Sequence, residues 1–198
     1  MTAKRIFDVL FAGIGIIILL PILLAIAIWI KLDSPGSIFF RQTRIGQFGH
    51  EFKIYKFRTM VVNAEALGKQ ITADGDRRIT KSGKFLRKYK LDELPQLFNV
   101  LKGEMSIVGP RPEVPTYVAL YTPEQRRVLE VPPGITDLAS IQFRNESELL
   151  SNTLNPEQAY IQAIMPQKLE LNKQYIAQAS LGLDLAIILQ TVWRVVTE

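Results

Sequence analysis

VLFAGIGIIILLPILLAIAIWI, residues 9–30, is a run of 22 residues without one charged side chain. As a helix, that length reaches across the hydrocarbon core of a bilayer. Three readings compete. The first is a simple spanning anchor. The second is a signal peptide, with Ala25-Ile26-Ala27 in the place of a cleavage site; against it, the run is long for a signal core and continues through Ile28-Trp29-Ile30. The third is a re-entrant helix that enters and leaves by the same face. Pro21 stands mid-run, where it deletes a helix hydrogen bond and crowds the preceding turn, so a kink is expected. Cations flank both ends, Lys4 and Arg5 before and Lys31, Arg41 and Arg44 after, which assigns both ends to one side. Spanning helices also tolerate proline, so the spanning and re-entrant forms both stay open on these residues.

Asp33-Ser34-Pro35-Gly36 is a turn that closes the apolar run. Residues 37–44 and 51–58 read as strands around a Gly46 to Gly49 loop, which predicts a β-hairpin. Lys56 and Arg58 are two apart and should share a face of the second strand. They could hold a phosphate, or the hairpin could rest its basic surface on lipid headgroups. Residues 61–67 carry a short helical pattern. Residues 72–78 form a polar loop that lacks the acidic spacing and closing glutamate of an EF-hand.

Lys90-Leu91-Asp92-Glu93-Leu94-Pro95-Gln96-Leu97 places two adjacent carboxylates before a proline. Leu91, Leu94, Leu97, Phe98 and Leu101 recur at helical spacing, and proline belongs in a first turn. A helix is therefore expected from Leu91 or Asp92, ended by Lys102-Gly103, with both acids at its positive end. Arg87, Lys88 and Lys90 precede the pair. Arg111 follows within Gly109-Pro110-Arg111-Pro112-Glu113, where two prolines make its backbone rigid. Carboxylates, a helix start and a rigid arginine suit metal and phosphate. Acidic residues in a first turn are also ordinary helix-start chemistry.

Residues 116–129 read as a helix, and Val131-Pro132-Pro133-Gly134-Ile135-Thr136 as a firm break. Asn155-Pro156 is a helix start, running toward Ile176 with a kink site at Pro166. Residues 183–196 are apolar but only 14 long and hold Asp184 and Arg194, which suits a docking or interfacial helix with Trp193 at the membrane boundary.

The totals exclude whole classes of chemistry. With no cysteine among 198 residues, disulfides and thiolate sites are out; with one histidine, His50 in a glycine-flanked loop, so is a histidine-rich metal site. The net charge of +5 fits nucleic acid, anionic lipid or phosphorylated substrates alike. No nucleic-acid motif appears, and the basic residues interleave with carboxylates.

Taken together, Asp33-Ser34-Pro35-Gly36, Phe39-Phe40-Arg41-Gln42, Tyr55-Lys56-Phe57-Arg58-Thr59-Met60, Phe85-Leu86-Arg87, Leu91-Asp92-Glu93-Leu94-Pro95-Gln96 and Ile107-Val108-Gly109-Pro110-Arg111-Pro112-Glu113 resemble the bacterial sugar transferases known as monotopic phosphoglycosyl transferases. The length is similar to that family's minimal catalytic form. The resemblance implies a mainly α fold with a small β-hairpin, a re-entrant membrane helix over residues 1–32, interfacial helices, and a catalytic unit over 33–198. It implies transfer of a sugar 1-phosphate from a UDP-sugar to undecaprenyl or another polyprenol phosphate, with UMP released, at the cytoplasmic face of the bacterial inner membrane. Asp92 matches the nucleophile that forms a covalent phospho-sugar intermediate, and Glu93 matches its partner. Mg2+ is implied, with Asp92 as a ligand. Arg87 and Arg111 match the phosphate-binding positions. The implied partners are UDP-sugar, undecaprenyl phosphate and membrane lipids, with no nucleic acid; a homo-oligomer stays open, as do the sugar and the glycan pathway.

Two departures stand out. Relatives often carry Ser-Pro where this chain has Leu20-Pro21, which loses a hydroxyl that could satisfy freed backbone groups. Many have glycine where Asp137 stands, so a sugar preference does not carry over. The rival readings are a non-catalytic membrane adaptor binding anionic lipid or a partner, and a membrane-tethered nucleic-acid binder.

Overall fold

The computed structural model describes residues 3–64 and 76–197. The helical pattern at 61–67 and the loop at 72–78 run partly outside them.

The apolar run forms α1 (Ala3–Asp33), 31 residues and so about 46 Å long. It continues unbroken through Pro21. One stripe, Ala12, Leu23, Ile26 and Ile30 with Asp8, is buried against the rest of the chain. The opposite face, including Ile14, Ile17, Ile18, Leu24, Ile28 and Leu32, is bare. A core helix of a soluble protein would be covered all round, whereas α1 is apolar on its exposed face as well.

Both ends of α1 are strapped to the same body. At the start, Lys4 Nζ donates to Asp184 at 2.7 Å, and Arg5 donates to the carbonyls of Val100 and Leu101 at 2.6 and 3.0 Å. Asp8 accepts from Ser106 Oγ and the Ile107 amide, each at 3.0 Å. At the far end, Arg58 donates to the carbonyls of Ser34 and Pro35 at 2.7 and 2.6 Å, and Asp33 accepts from Ser82 N and Oγ at 2.9 and 2.8 Å. A helix ending inside a protein leaves carbonyls without partners, and the Arg58 fork supplies donors there.

The expected hairpin is present: β1 (Phe39–Ile45) pairs antiparallel with β2 (Glu51–Phe57), from Phe39 opposite Phe57 to Ile45 opposite Glu51. Phe52 and Ile54 alternate inward. Next come α2 (Lys81–Lys88), capped by the Thr80 hydroxyl, and α3 (Gln96–Lys102), closed by Gly103 in the left-handed region as Lys102-Gly103 predicts. Asn99 of α3 is fully buried and plugs the edge of β2: its amide donates to Lys53 O and accepts from Tyr55 N, both at 2.9 Å.

A second, parallel pair was not foreseen. β3 (Ser106–Val108) aligns with β4 (Gly134–Thr136). The approach requires glycine: a Cβ on Gly134 would lie 2.1 Å from the Gly109 nitrogen.

Residues 116–129 are not one helix. α4 (Pro115–Val118) stops, and a 3-10 turn, Gln125–Glu130, follows. Pro123 cannot donate to a continuing ladder, and Thr122 and Gln125 cap one another, the Gln125 amide on Thr122 Oγ1 at 3.2 Å and Thr122 N on Gln125 Oε1 at 2.9 Å. Further on lie α5 (Leu138–Gln142) and α6 (Glu146–Ser151). The Asn155 side chain caps α7 (Pro156–Ala159) as expected. A π-turn at Tyr160–Ile164 then precedes α8 (Met165–Gln178), so the ladder is reset just before Pro166. α9 (Leu181–Thr197) closes the fold. Its Leu189, Val192, Trp193 and Val196 are exposed, a second bare apolar surface. The main core joins Ala12 of α1, Phe52 and Ile54 of the hairpin, Leu97 and Val100 of α3, Ile107 and Val108 of β3, Tyr175 of α8 and Ile187 of α9.

Candidate active site

The two adjacent carboxylates do not sit in the first turn of an α-helix, as their spacing led us to expect. Leu91–Glu93 is a 3-10 turn entered through Lys90 in the left-handed region (φ 54°), and α3 begins only at Gln96. Pro95 is the reason. It has no N–H for the carbonyl of Leu91 and its ring crowds that carbonyl, so the α ladder starts beyond it. The acids therefore precede α3, and their surroundings are set by tertiary contacts rather than by a helix end.

Those contacts treat the two acids differently. Glu93 is held by two cations. Both terminal nitrogens of Arg111 donate to it, one to Oε2 at 3.0 Å and the other to Oε1, and Lys56 Nζ donates to Oε1 at 2.8 Å. Asp92 is 8% exposed and makes no hydrogen bond or ion pair among the described residues. Burial, then the neighbouring Glu93 charge, pushes the Asp92 carboxyl above its ordinary range. Burial acts upward on Glu93 too, but Arg111 and Lys56 outweigh it and hold Glu93 well below the usual carboxylate range. Glu93 in turn keeps Arg111 firmly protonated. Burial lowers Lys56 and Arg87, opposed by Glu93 at Lys56 and by Asp92 at Arg87. The turn thus carries one neutralised, immobile carboxylate and one basic, available carboxylate, an assignment of separate roles to a pair.

Arg111 owes its place to the parallel strand pair. Gly109 N donates to Thr136 O at 3.1 Å and Gly134 N to Pro110 O at 2.9 Å, which fixes the loop after β3 beside the start of α5. Asp137, fully buried, accepts from the Arg111 amide at 3.2 Å and from the Ser140 amide at 2.6 Å, so one side chain caps α5 and anchors the arginine backbone. Arg44 donates to Pro112 O at 3.1 Å, and the Tyr160 hydroxyl donates to Glu113. Sequence reasoning passed over Asp137 as a site residue, although Asp137 before Leu138-Ala139-Ser140 is a helix-cap pattern. Asn99 gave no such signal.

Of the residues singled out from sequence, Asp92, Glu93, Arg111 and Lys56 meet in one cluster. Arg87 stands beside it, its Nε on Thr59 Oγ1 at 2.9 Å. Arg58 does not join. β2 ends at Phe57, and the Arg58 guanidinium is buried against the carbonyls of Ser34 and Pro35 just beyond α1, so Lys56 and Arg58 do not form a common phosphate clamp. Pro21 lies inside α1. Gln96, one turn beyond the dyad, is fully buried with neither amide atom paired among the described residues.

No group of three or more acidic, histidine or cysteine side chains gathers among the described residues, so these offer no all-protein metal cage. Mg2+ is commonly held by one or two carboxylates together with substrate phosphate oxygens and waters. Asp92, buried and without a partner, fits that role; Glu93, already neutralised, does not need a cation. A groove of about 520 Å3, lined by Glu93 and Arg111 on one part and by apolar residues of α1 and α9 on another, adjoins the cluster.

The profile of the family described as bacterial sugar transferase matches residues 1–198. The chain is 40% identical over 199 residues to the UDP-N-acetylgalactosamine-undecaprenyl-phosphate N-acetylgalactosaminephosphotransferase of Aeromonas hydrophila, covering 98% of this chain and 44% of that protein. It is 40% identical over 203 residues to the UDP-glucose:undecaprenyl-phosphate glucose-1-phosphate transferase of Xanthomonas campestris pv. campestris, covering 100% of this chain and 40% of that one. Against the exopolysaccharide production protein ExoY of Rhizobium meliloti the identity is 35% over 205 residues, with 96% and 84% covered. The chain thus spans less than half the length of the first two relatives.

Proposed function

Because the chain belongs to the bacterial sugar transferase family, we propose that it transfers a sugar 1-phosphate from a UDP-sugar to undecaprenyl or a similar polyprenol phosphate, releasing UMP. The observation that carries this reading is the unequal pair: a buried Asp92 with no partner beside a Glu93 locked by Arg111 and Lys56.

In the first step an Asp92 oxygen attacks the β-phosphorus of the UDP-sugar. The bond from that phosphorus to the bridging oxygen breaks, and UMP leaves with the electron pair. The phospho-sugar now sits on Asp92 as an acyl phosphate. In the second step an oxygen of the lipid phosphate attacks the same phosphorus, the bond to Asp92 breaks, and the carboxylate is regenerated. Glu93 fixes Arg111 and Lys56 in place, so their charge is preorganised around the dyad. Arg87 supplies a further cation beside Asp92. Asp92 is the residue that would hold Mg2+, which would supply charge neutralisation there. Without such cations an anionic nucleophile would meet strong repulsion from the diphosphate.

The strapping of α1 at both ends supports a re-entrant or in-plane seat. A helix leaving the body to cross the bilayer would hold it by one end only, whereas Lys4, Arg5 and Asp8 at one end and Asp33 at the other all bind the same unit. With the cations at both ends of α1, this favours a catalytic unit resting on the cytoplasmic face of the inner membrane. The product would begin a bacterial surface glycan.

The test is UMP release by protein in nanodiscs given undecaprenyl phosphate, Mg2+ and each of UDP-glucose, UDP-galactose and UDP-N-acetylgalactosamine. Release with one sugar, abolished by EDTA and by Asp92→Asn, is the expected result. An Asp92→Asn protein that released UMP at the wild-type rate would overturn the mechanism, and a stable fold with no release from a wider sugar panel would favour an adaptor.

A further inference from the structure

We propose that Glu146 and Lys168 are the sugar-reading residues of this chain, taking one hydroxyl of the UDP-linked sugar between a carboxylate and an ammonium. This rests on the transfer reaction above and adds which side chains choose its sugar. Glu146 opens α6, and Lys168 lies in the first turn of α8. Lys168 Nζ donates to Glu146 Oε2 at 2.9 Å. Both side chains line the groove of about 520 Å3 that Glu93 and Arg111 also line.

Three observations carry the assignment. The first is position. Glu146 is among the charges that keep Arg111 protonated, so the pair stands near the guanidinium. In a UDP-sugar the sugar is bonded to the β-phosphate, the group under attack, whereas the ribose hangs from the α-phosphate. A polar pair in the same groove as the dyad and Arg111 is placed for the sugar. The second is rigidity. Glu113, two residues after Arg111, accepts from the Tyr160 hydroxyl, and Lys168 Nζ lies 5.3 Å from the centroid of the Tyr160 ring. The arginine and the pair therefore share one frame, which fixes the span between phosphate and hydroxyl. The third is chemistry. The Lys168 side chain is 11% exposed and that of Glu146 28%. Burying an ammonium is costly, and one partly exposed carboxylate offsets little of that cost, so the pair is a poor strut between α6 and α8. A carboxylate has acceptor sites beyond the one that Lys168 uses, and an ammonium has three donors. A hydroxyl can donate to the first and accept from the second. A phosphate in the same place would meet the Glu146 charge.

The test is calorimetric titration of protein in nanodiscs with UDP-glucose, UDP-galactose, UDP-N-acetylgalactosamine and UMP, beside UMP-release kinetics. Glu146→Gln keeps the shape and removes the charge. It should weaken the preferred UDP-sugar by about tenfold or more in Kd and KM, the order expected for a lost hydrogen bond to a charged group, with kcat and the Kd of UMP unchanged. Among analogues of that sugar deoxygenated one hydroxyl at a time, one should bind the wild type about tenfold more weakly and bind Glu146→Gln as the parent sugar does. Lys173→Gln, which breaks the Lys173–Glu124 pair elsewhere on α8, should change none of these. Equal weakening of UMP would move the pair to the ribose and overturn the proposal. So would a lowered melting temperature with sugar binding unchanged, the mark of a strut, or a wild type that binds every deoxy analogue as tightly as the parent. Binding of a UDP-sugar that depends on Glu146, in a protein that releases no UMP, would refute the reaction while leaving the sugar contact standing.

Discussion

Two sets of buried carboxylates in this molecule are treated in opposite ways. Behind the site, Asp184 is 1% exposed and takes hydrogen bonds from Lys4 at 2.7 Å and Tyr175 at 2.6 Å, while Asp8 takes two from the start of β3. Each is satisfied and each joins α1 to the rest of the fold. At the front, Glu93 is satisfied in the same manner and Asp92 is left without a partner. Burying a charged group without hydrogen bonds costs stability, and at Asp92 only the nearby charges of Lys56, Arg87 and Lys90 offset that cost. The exception falls on the one acid that the proposed chemistry needs as a nucleophile.

The sharpest way to break that contrast is to neutralise one acid from each set. Asp92→Asn should reduce UMP release by a factor on the order of 10³ or more, with a melting temperature level with or above the wild type, since no hydrogen bond is lost and the burial penalty of a charge is relieved. Asp184→Asn should do the reverse: destabilise by about 2–3 kcal/mol, through loss of hydrogen bonds to a charged group, while the folded fraction keeps its turnover. Denaturant titration and UMP release on the same preparations separate the two effects. Equal stability losses would erase the distinction.

A smaller effect is expected with pH. Glu93 is held low in the fold, so its stabilising contribution is complete above the ordinary glutamate range and is lost as pH falls through its depressed folded value. Asp92 is shifted up, so its ionisation costs stability, and that cost disappears as pH falls through its raised value. In the proposed reaction, UMP release requires ionised Asp92. Its acid limb should therefore lie above the ordinary aspartate range, at a pH where Glu93 is still ionised and the fold intact, and should move down as Mg2+ is raised. Activity and near-ultraviolet circular dichroism recorded across the same range check this; simultaneous loss of both would count against it.

The smallest effect separates Lys56 from Arg58. Arg58→Lys replaces a fork with a point charge at the end of α1, so we expect a loss of about 1–2 kcal/mol and no change in KM for the UDP-sugar. A raised KM would put Arg58 back among the substrate ligands.

Local rules made some of this legible. The hairpin follows from alternating residues around a glycine loop, the α7 start from Asn155-Pro156, and the end of α3 from Gly103, because each depends on neighbours along the chain. Asp92, Glu93 and Arg111 were legible as a chemical set, and the structure gathers them with Lys56. Other features were hidden because their partners are distant in sequence. Arg58 looked like a companion to Lys56 until the carbonyls just beyond α1, 23 and 24 residues earlier, claimed it. Asp137 looked like a departure from a glycine, and becomes the anchor of Arg111 only because β4 lies beside β3.

By itself the sequence determined the apolar character of α1, the hairpin and the family to which the acids belong, since these depend on composition and short-range spacing. Only the tertiary structure decided which acid is free. Asp92 and Glu93 are adjacent and chemically near-equivalent, and nothing local distinguishes them. The difference arises because Arg111, carried by the parallel strands, and Lys56, carried by the hairpin, both reach Glu93 and leave Asp92 buried and unpaired.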